Sequence, residues 1–155
     1  MFKEIRRSER ALSDTEMHEI ILKAEYGVLS TIGEDGFPYG VPVNYVYHEN
    51  NIYFHCATEG QKIENIGFNN KVSFVVVTDA EILPSSFSTN YRSVIAFGIA
   101  SEVADIDRKR DVFTKLLEKF SKEFLSDGMK YIESGLHKAK VYQIKVEHIT
   151  AKGRK

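Results

Sequence analysis

The chain has 155 residues, 43% of them hydrophobic and 28% charged, with a formal net charge of −1. That length suits one domain able to bury its own core, and the near-neutral balance supplies no global electrostatic pull toward nucleic acid or an anionic membrane. No stretch approaches the roughly 18 apolar residues of a membrane span, and the opening MFKEIRRSER is charged where a signal peptide turns apolar.

The expectation is therefore a single cytoplasmic domain over residues 1–155, with no membrane or nucleic-acid partner. The lone cysteine, Cys56, excludes an internal disulfide and any multi-cysteine zinc site within one chain. Residues 1–11, with Arg6, Arg7 and Arg10, read as an extended basic lead-in. Ser13 and Glu16 form an S-x-x-E capping box, and Met17, Ile20, Ile21 and Ala24 follow at helical spacing, which predicts a helix over 14–24.

From Tyr26 the period becomes two. Residues 27–32 predict a strand, Gly33-Glu34-Asp35-Gly36 a turn, and Pro38–Tyr47 a second strand in an antiparallel hairpin. The polar run 48–51 leads into a third strand, Ile52–Ala57, and Thr58-Glu59-Gly60 then turns the chain into a helix over 61–69. Short connections between sequential strands argue against a parallel sheet, which needs crossovers. A nearly all-apolar fourth strand over 72–78 precedes an irregular segment, 79–90, that predicts a long loop.

Tyr91–Val103 reads as a fifth strand, followed by a helix capped by Asp105 or Asp107 and running to about Phe124, with Phe113, Leu116, Leu117, Phe120 and Phe124 as its apolar stripe. A short helical piece over 131–139, a sixth strand over 141–149 and a frayed tail over 150–155 complete the reading. The predicted fold is mainly β with helices (α+β): a six-stranded, mostly antiparallel split β-barrel with peripheral helices.

Chemistry concentrates where the third strand meets the helix at Gln61. The first N–H groups of a helix have no partner within it, the dipole favours an anion there, and Lys62 adds a full charge. His55 and Cys56 lie just before that turn. Alternation places Tyr53, His55 and Ala57 on one face and Ile52, Phe54 and Cys56 on the other, so His55 is no base for Cys56. A histidine between aromatics serves a hydrogen-bonded structural role as readily as a functional one, and both readings stand. The five histidines, at 18, 48, 55, 137 and 148, have no i, i+4 partner, so no metal site is expected. His18, His48 and His148 read as solvated. Neither a G-x-S-x-G elbow nor a dinucleotide or Walker glycine motif is present.

The segments GVLSTIGEDGFPYGVPVNYVY, IYFHCATEGQKIENIGFNNKVSFVV and YRSVIAFGIASEV resemble the FMN-binding split barrels related to pyridoxamine 5'-phosphate oxidase, and within them the nitroimidazole-resistance branch. The lead-in RRSERALSDTE and the run YFHCATEGQKIENI carry the most specific likeness.

The resemblance implies FMN at the interface of a homodimer. Pro42, Val43, Asn44 and Tyr45 would lie along the isoalloxazine and ribityl chain. His55, Cys56, Ala57, Gln61 and Lys62 would hold the phosphate side, with Arg92 and Ser93 as further contacts. His55 matches the histidine singled out in that branch and is the implied catalytic residue. The implied function is an oxidoreductase passing electrons from NAD(P)H to a nitroaromatic, quinone or similar acceptor, and the alternative is a non-catalytic flavin-binding, storage or regulatory module. Haem on the same barrel, with His55 or a tail histidine as ligand, is a third reading. A substrate-binding arginine motif of the B6 oxidases is missing from the C-terminus, which argues against pyridoxamine phosphate as substrate. The aromatics Phe37, Tyr39, Phe87 and Tyr91 could wall a substrate pocket, or belong to the core.

Overall fold

The computed structural model describes residues 1–154. After a 3-10 turn at Ser8–Arg10 come α1 (Asp14–Lys23), β1 (Tyr26–Ile32), β2 (Pro38–Asn44), β3 (Val46–His48), β4 (Asn51–Cys56) and α2 (Gln61–Phe68). Then follow β5 (Lys71–Leu83), β6 (Ser88–Glu102), α3 (Ile106–Phe120), α4 (Leu125–Gly135) and β7 (Lys140–Arg154). The capping box is formed at both ends: Ser13 accepts from the Glu16 backbone N–H, and the Ser13 N–H donates to the Glu16 carboxylate at 3.0 Å. α1 buries Met17, Ile20 and Ile21, the stripe its spacing predicts.

All strands pair antiparallel in one sheet of order β2-β1-β5-β6-β7-β4-β3. The two edge strands, β2 and β3, are separated in sequence by Tyr45 alone. The sheet must therefore curl until its edges meet at that residue, which makes a split barrel rather than an open layer. The predicted second strand, Pro38–Tyr47, is thus two strands, and the count becomes seven. Tyr45 anchors the junction: it is fully buried, its hydroxyl donates to the Ile21 carbonyl, and its ring meets Phe74 edge-on with centroids 4.9 Å apart. Lys119 of α3 donates to the carbonyls of Ala24 (2.7 Å) and Tyr45 (3.0 Å), tying helix to seam.

Other expectations also change. The predicted 79–90 loop is mostly strand: β5 and β6 continue to a tip at Pro84–Ser86, with a register shift between Thr78 and Glu81. The 150–155 tail is not frayed over its described part, because β7 runs to Arg154 along β6; Lys155 lies outside the described residues. Of the two candidate caps of the helix after β6, Asp105 is the one used, accepting from the Arg108 N–H at 3.0 Å; the helix ends at Phe120 rather than Phe124, with α4 over 125–135 rather than 131–139. His148 is not solvated. Phe2 of the lead-in stacks on its ring at 4.8 Å, and its Nε2 is buried with no partner among the described residues.

Two apolar layers result. The inner one holds Leu29, Ile52, Phe54, Phe74, Val76, Val94, Ala96 and Ile144 under α1 and α2. A smaller one, Val46, Val103, Val112, Leu116 and Val141, lies where α3 covers the outer face of β3, β4 and β7. No helix among the described residues is long and apolar enough to cross a membrane.

Candidate functional site

The corner between β4 and α2 is assembled by local rules. Along β4, Ile52, Phe54 and Cys56 are buried in the inner core, while Tyr53 and His55 face the other way toward α3. Gly60 is the N-cap of α2 at φ +138°, a conformation that only glycine adopts without strain, and a side chain there would meet open space. No side chain caps this helix. Its leading N–H groups thus have no side-chain partner among the described residues, and the positive end of the dipole is left without a capping side chain there.

α2 is held in place from below. Its Ile66 is buried, and the buried Asn65 donates to Thr31 Oγ1 of β1 at 3.0 Å. Gly33 closes over that amide, with its missing Cβ occupied by Asn65 Oδ1. Lys62 is half-buried in the first turn and joins no ion pair among the described residues. Burial pushes the Cys56 thiol above its ordinary value, with the positive charges of Lys62 and Lys140 opposing that rise. Lys140 is neutralised by Glu102 at 3.2 Å, which leaves Lys62 as the unpaired cation of this corner among the described residues, with the carboxylates of Glu59 and Glu64 in the same turn.

His55 is exposed as a whole, yet its ring packs against Phe113 with centroids 5.5 Å apart, and the partial loss of water on that side lowers its pKa below the ordinary histidine value. The ring edges a cavity of about 470 Å³ formed with Asn44 of β2 and with α3 and α4. Of the sequence-predicted residues, the fold brings Asn44 and His55 to one cavity and places Gln61 and Lys62 at the start of α2, outside its lining. Pro42 is exposed on the outer face, and Ala57 is exposed in the turn. Val43 packs on the core, and Tyr45 and Cys56 are buried in it, so those three can reach a ligand only through the backbone.

Arg92 and Ser93 are not brought to this corner within one chain. Arg92 pairs with Gly153 of β7, whereas Cys56 pairs with Lys140 of the same strand, a separation of roughly 40 Å along the strand. Arg92 lies 3.7 Å from Glu16 and 3.6 Å from Glu19 of α1, with its Nε buried and unpartnered among the described residues. Ser93 donates to the Lys152 carbonyl at 3.4 Å. The aromatic wall is dispersed as well: Phe37 and Tyr39 belong to the β1–β2 hairpin, while Phe87 and Tyr91 belong to the β5–β6 hairpin, whose tip lies at the other end of the sheet.

Sequence reasoning missed the cavity residues Tyr131, Ile132 and Lys138 on and after α4, and read the Phe113–Phe120 stripe only as packing. The available signal was that this stripe carries more apolar side chains than one buried face uses: Phe120 is left 39% exposed. Among the described residues, no three His, Cys, Asp or Glu side chains are placed to hold a metal ion.

A family model described as pyridoxamine 5'-phosphate oxidase matches residues 13–153. Among solved structures, a candidate 5-nitroimidazole antibiotic resistance protein from Bacteroides thetaiotaomicron superposes with a TM-score of 0.78 at 25% identity, covering 91% of this chain and 84% of that one. A FAD-binding protein from Mesorhizobium loti gives 0.67 at 23% identity, with 93% and 95% coverage. A FAD- and haem-binding protein from Mycobacterium smegmatis gives 0.82 at 14%, with 96% and 74% coverage. The last two show the fold alone. No curated protein matches the sequence. The family match starts at the capping serine of α1 and runs into β7, taking in every strand of the curled sheet and the whole β4–α2 corner; this chain belongs to the pyridoxamine 5'-phosphate oxidase family.

Proposed function

We propose that the protein is an FMN-binding oxidoreductase that works as a homodimer in the cytoplasm, taking electrons from NAD(P)H and passing them to a nitroaromatic, quinone or similar acceptor. One observation carries the reading: an uncapped helix start, its N-cap glycine and a lysine with no ion pair among the described residues come together at the end of β4 beside Cys56, and that constellation fits a phosphate monoester. The FAD-binding neighbours of the same fold support a flavin as the owner of that phosphate. When bound, the flavin would supply hydride acceptance and onward electron transfer.

The chain's own residues would do the rest. Gln61 and Lys62 hold the phosphate, the backbone of 42–45 lies along the ring system, and the neutral His55 offers a hydrogen bond at the cavity side. Arg92 and Ser93, on β6 beside the far end of β7, would reach the cofactor from a second copy. The apolar outer face of β1, β5 and β6 supplies the surface for that copy: Val28, Ile32, Val77, Ile95 and Phe97 are each more than a third exposed.

Absorbance is the test. Purified protein should take up FMN, bleach under NAD(P)H, and recover when a nitroaromatic or quinone is added. Uptake without bleaching supports the alternative of a flavin store or regulatory module, and a protein that ignores FMN refutes both.

A further inference from the structure

The cavity beside His55 is a built feature. Leu116 and Ile132 are buried in its walls, Phe113 and Leu117 are half-buried, and Phe120 and Tyr131 stand at its rim. Its volume, about 470 Å³, is that of an ordinary small-molecule site. α4 has no N-terminal cap, so its position depends on α3. Arg110 pairs with Glu133, and Lys109 donates to the Leu136 and Ala139 carbonyls, closing the C-terminal turn of α4. These ties fix the second wall while leaving the aromatic lining uncovered.

The charge of the lining is one-sided. Lys138 is its only charged side chain, and neither Asp nor Glu contributes. Asn44, Ser121 and Ser134 add neutral polar groups. Flat apolar walls with one cation suit a planar ring bearing a negatively polarised substituent and disfavour a cationic ring.

We propose that this cavity binds the electron acceptor, and that the acceptor is a one- or two-ring aromatic, neutral or anionic. The inference rests on the flavin reading above, because Asn44 and His55 border both the cavity and the residues assigned to the flavin. The α3–α4 helices thereby select the substrate, and the β4–α2 corner holds the cofactor.

Calorimetric titration of 4-nitrobenzoate into the full chain, flavin-free and FMN-loaded, tests this. Binding is expected in both forms. Leu117→Trp, which fills the cavity, should weaken it by about tenfold or more, and Lys138→Gln by roughly threefold or more, with FMN affinity unchanged in each. The trimethyl-4-nitroanilinium cation should bind at least about tenfold more weakly than 4-nitrobenzoate. Should Leu117→Trp lower the thermal midpoint, Ser134→Phe blocks the same cavity from an exposed position. Nitrobenzoate affinity unmoved by both blocking variants overturns the proposal. So does loss of FMN affinity alongside it, which would make the cavity part of the flavin seat. A Soret band on haem titration that is lost in His55→Ala would assign the cavity to haem instead. Failure of FMN to bind at all removes the flavin reading, while nitrobenzoate binding to the flavin-free chain still decides what the cavity takes.

Discussion

The outer face of the curled sheet is treated in two ways. Over β3, β4 and β7 it is covered by α3, and Val46, Val103, Val112, Leu116 and Val141 form a small second core there. Over β1, β5 and β6 it is largely bare, with Val28, Val77, Ile95 and Phe97 exposed and Phe2 of the lead-in laid against Phe97 and His148. Residues of the same chemistry thus stabilise the chain on one side and stay exposed on the other. The difference shows that a strand's composition states how much apolar surface it carries, and the neighbouring elements decide whether one chain can bury it.

Substitutions on the two sides should separate these roles. On the covered side, Leu116→Ala removes a buried side chain and should cost about 2–5 kcal/mol in urea unfolding at any protein concentration. The equivalent insult on the bare side, Ile95→Lys, should leave the fold intact by circular dichroism and convert a sedimenting dimer to a monomer. A wild-type monomer at micromolar concentration would break the comparison.

The β4–α2 corner, the proposed phosphate seat, gives a smaller effect. Lys62→Ala is expected to weaken FMN by roughly ten- to hundredfold, the scale of one charge-assisted contact, with little change in flavin-free stability. Asn65→Ala should do the reverse. Leaving Thr31 unpartnered in the core costs about 1–3 kcal/mol, and FMN suffers only as α2 loosens. A calorimeter distinguishes the two readily.

The smallest effect belongs to His55. Its pKa is lowered in the folded chain, so the unfolded chain binds the proton first as pH falls. The stability it contributes is fully present above its ordinary value of 6.5 and is lost as pH drops from there through the lowered folded value. His55→Asn should flatten that acid limb in a pH series of denaturation midpoints. An unchanged limb would place the titration elsewhere.

Much of this was readable from spacing. The capping box of α1, the alternation that sends His55 and Cys56 to opposite faces, and the helix start at Gln61 are decided by residues within a turn of one another. The break at Tyr45 was not readable. Val41, Val43 and Tyr45 keep the inward side and Val46 the outward one, so the period passes through unbroken while the partner changes from β1 to β4. The β5–β6 tip fails for a related reason. Its polar, proline-bearing residues look like loop, yet Glu81, Ile82 and Leu83 pair with Asn90, Thr89 and Ser88 because the strands beneath already hold them in register.

By itself the sequence determined the local pieces of this protein: which segments coil, which extend, which side of each is apolar, and where a helix begins with its amides free. Those properties arise from interactions between near neighbours along the chain. Only the tertiary structure decided that the sheet edges meet at one residue, that Phe2 shields His148 from the other end of the chain, and that α3 and α4 leave a cavity beside His55. Each of these depends on surfaces distant in sequence competing to be buried, and no local pattern records who wins.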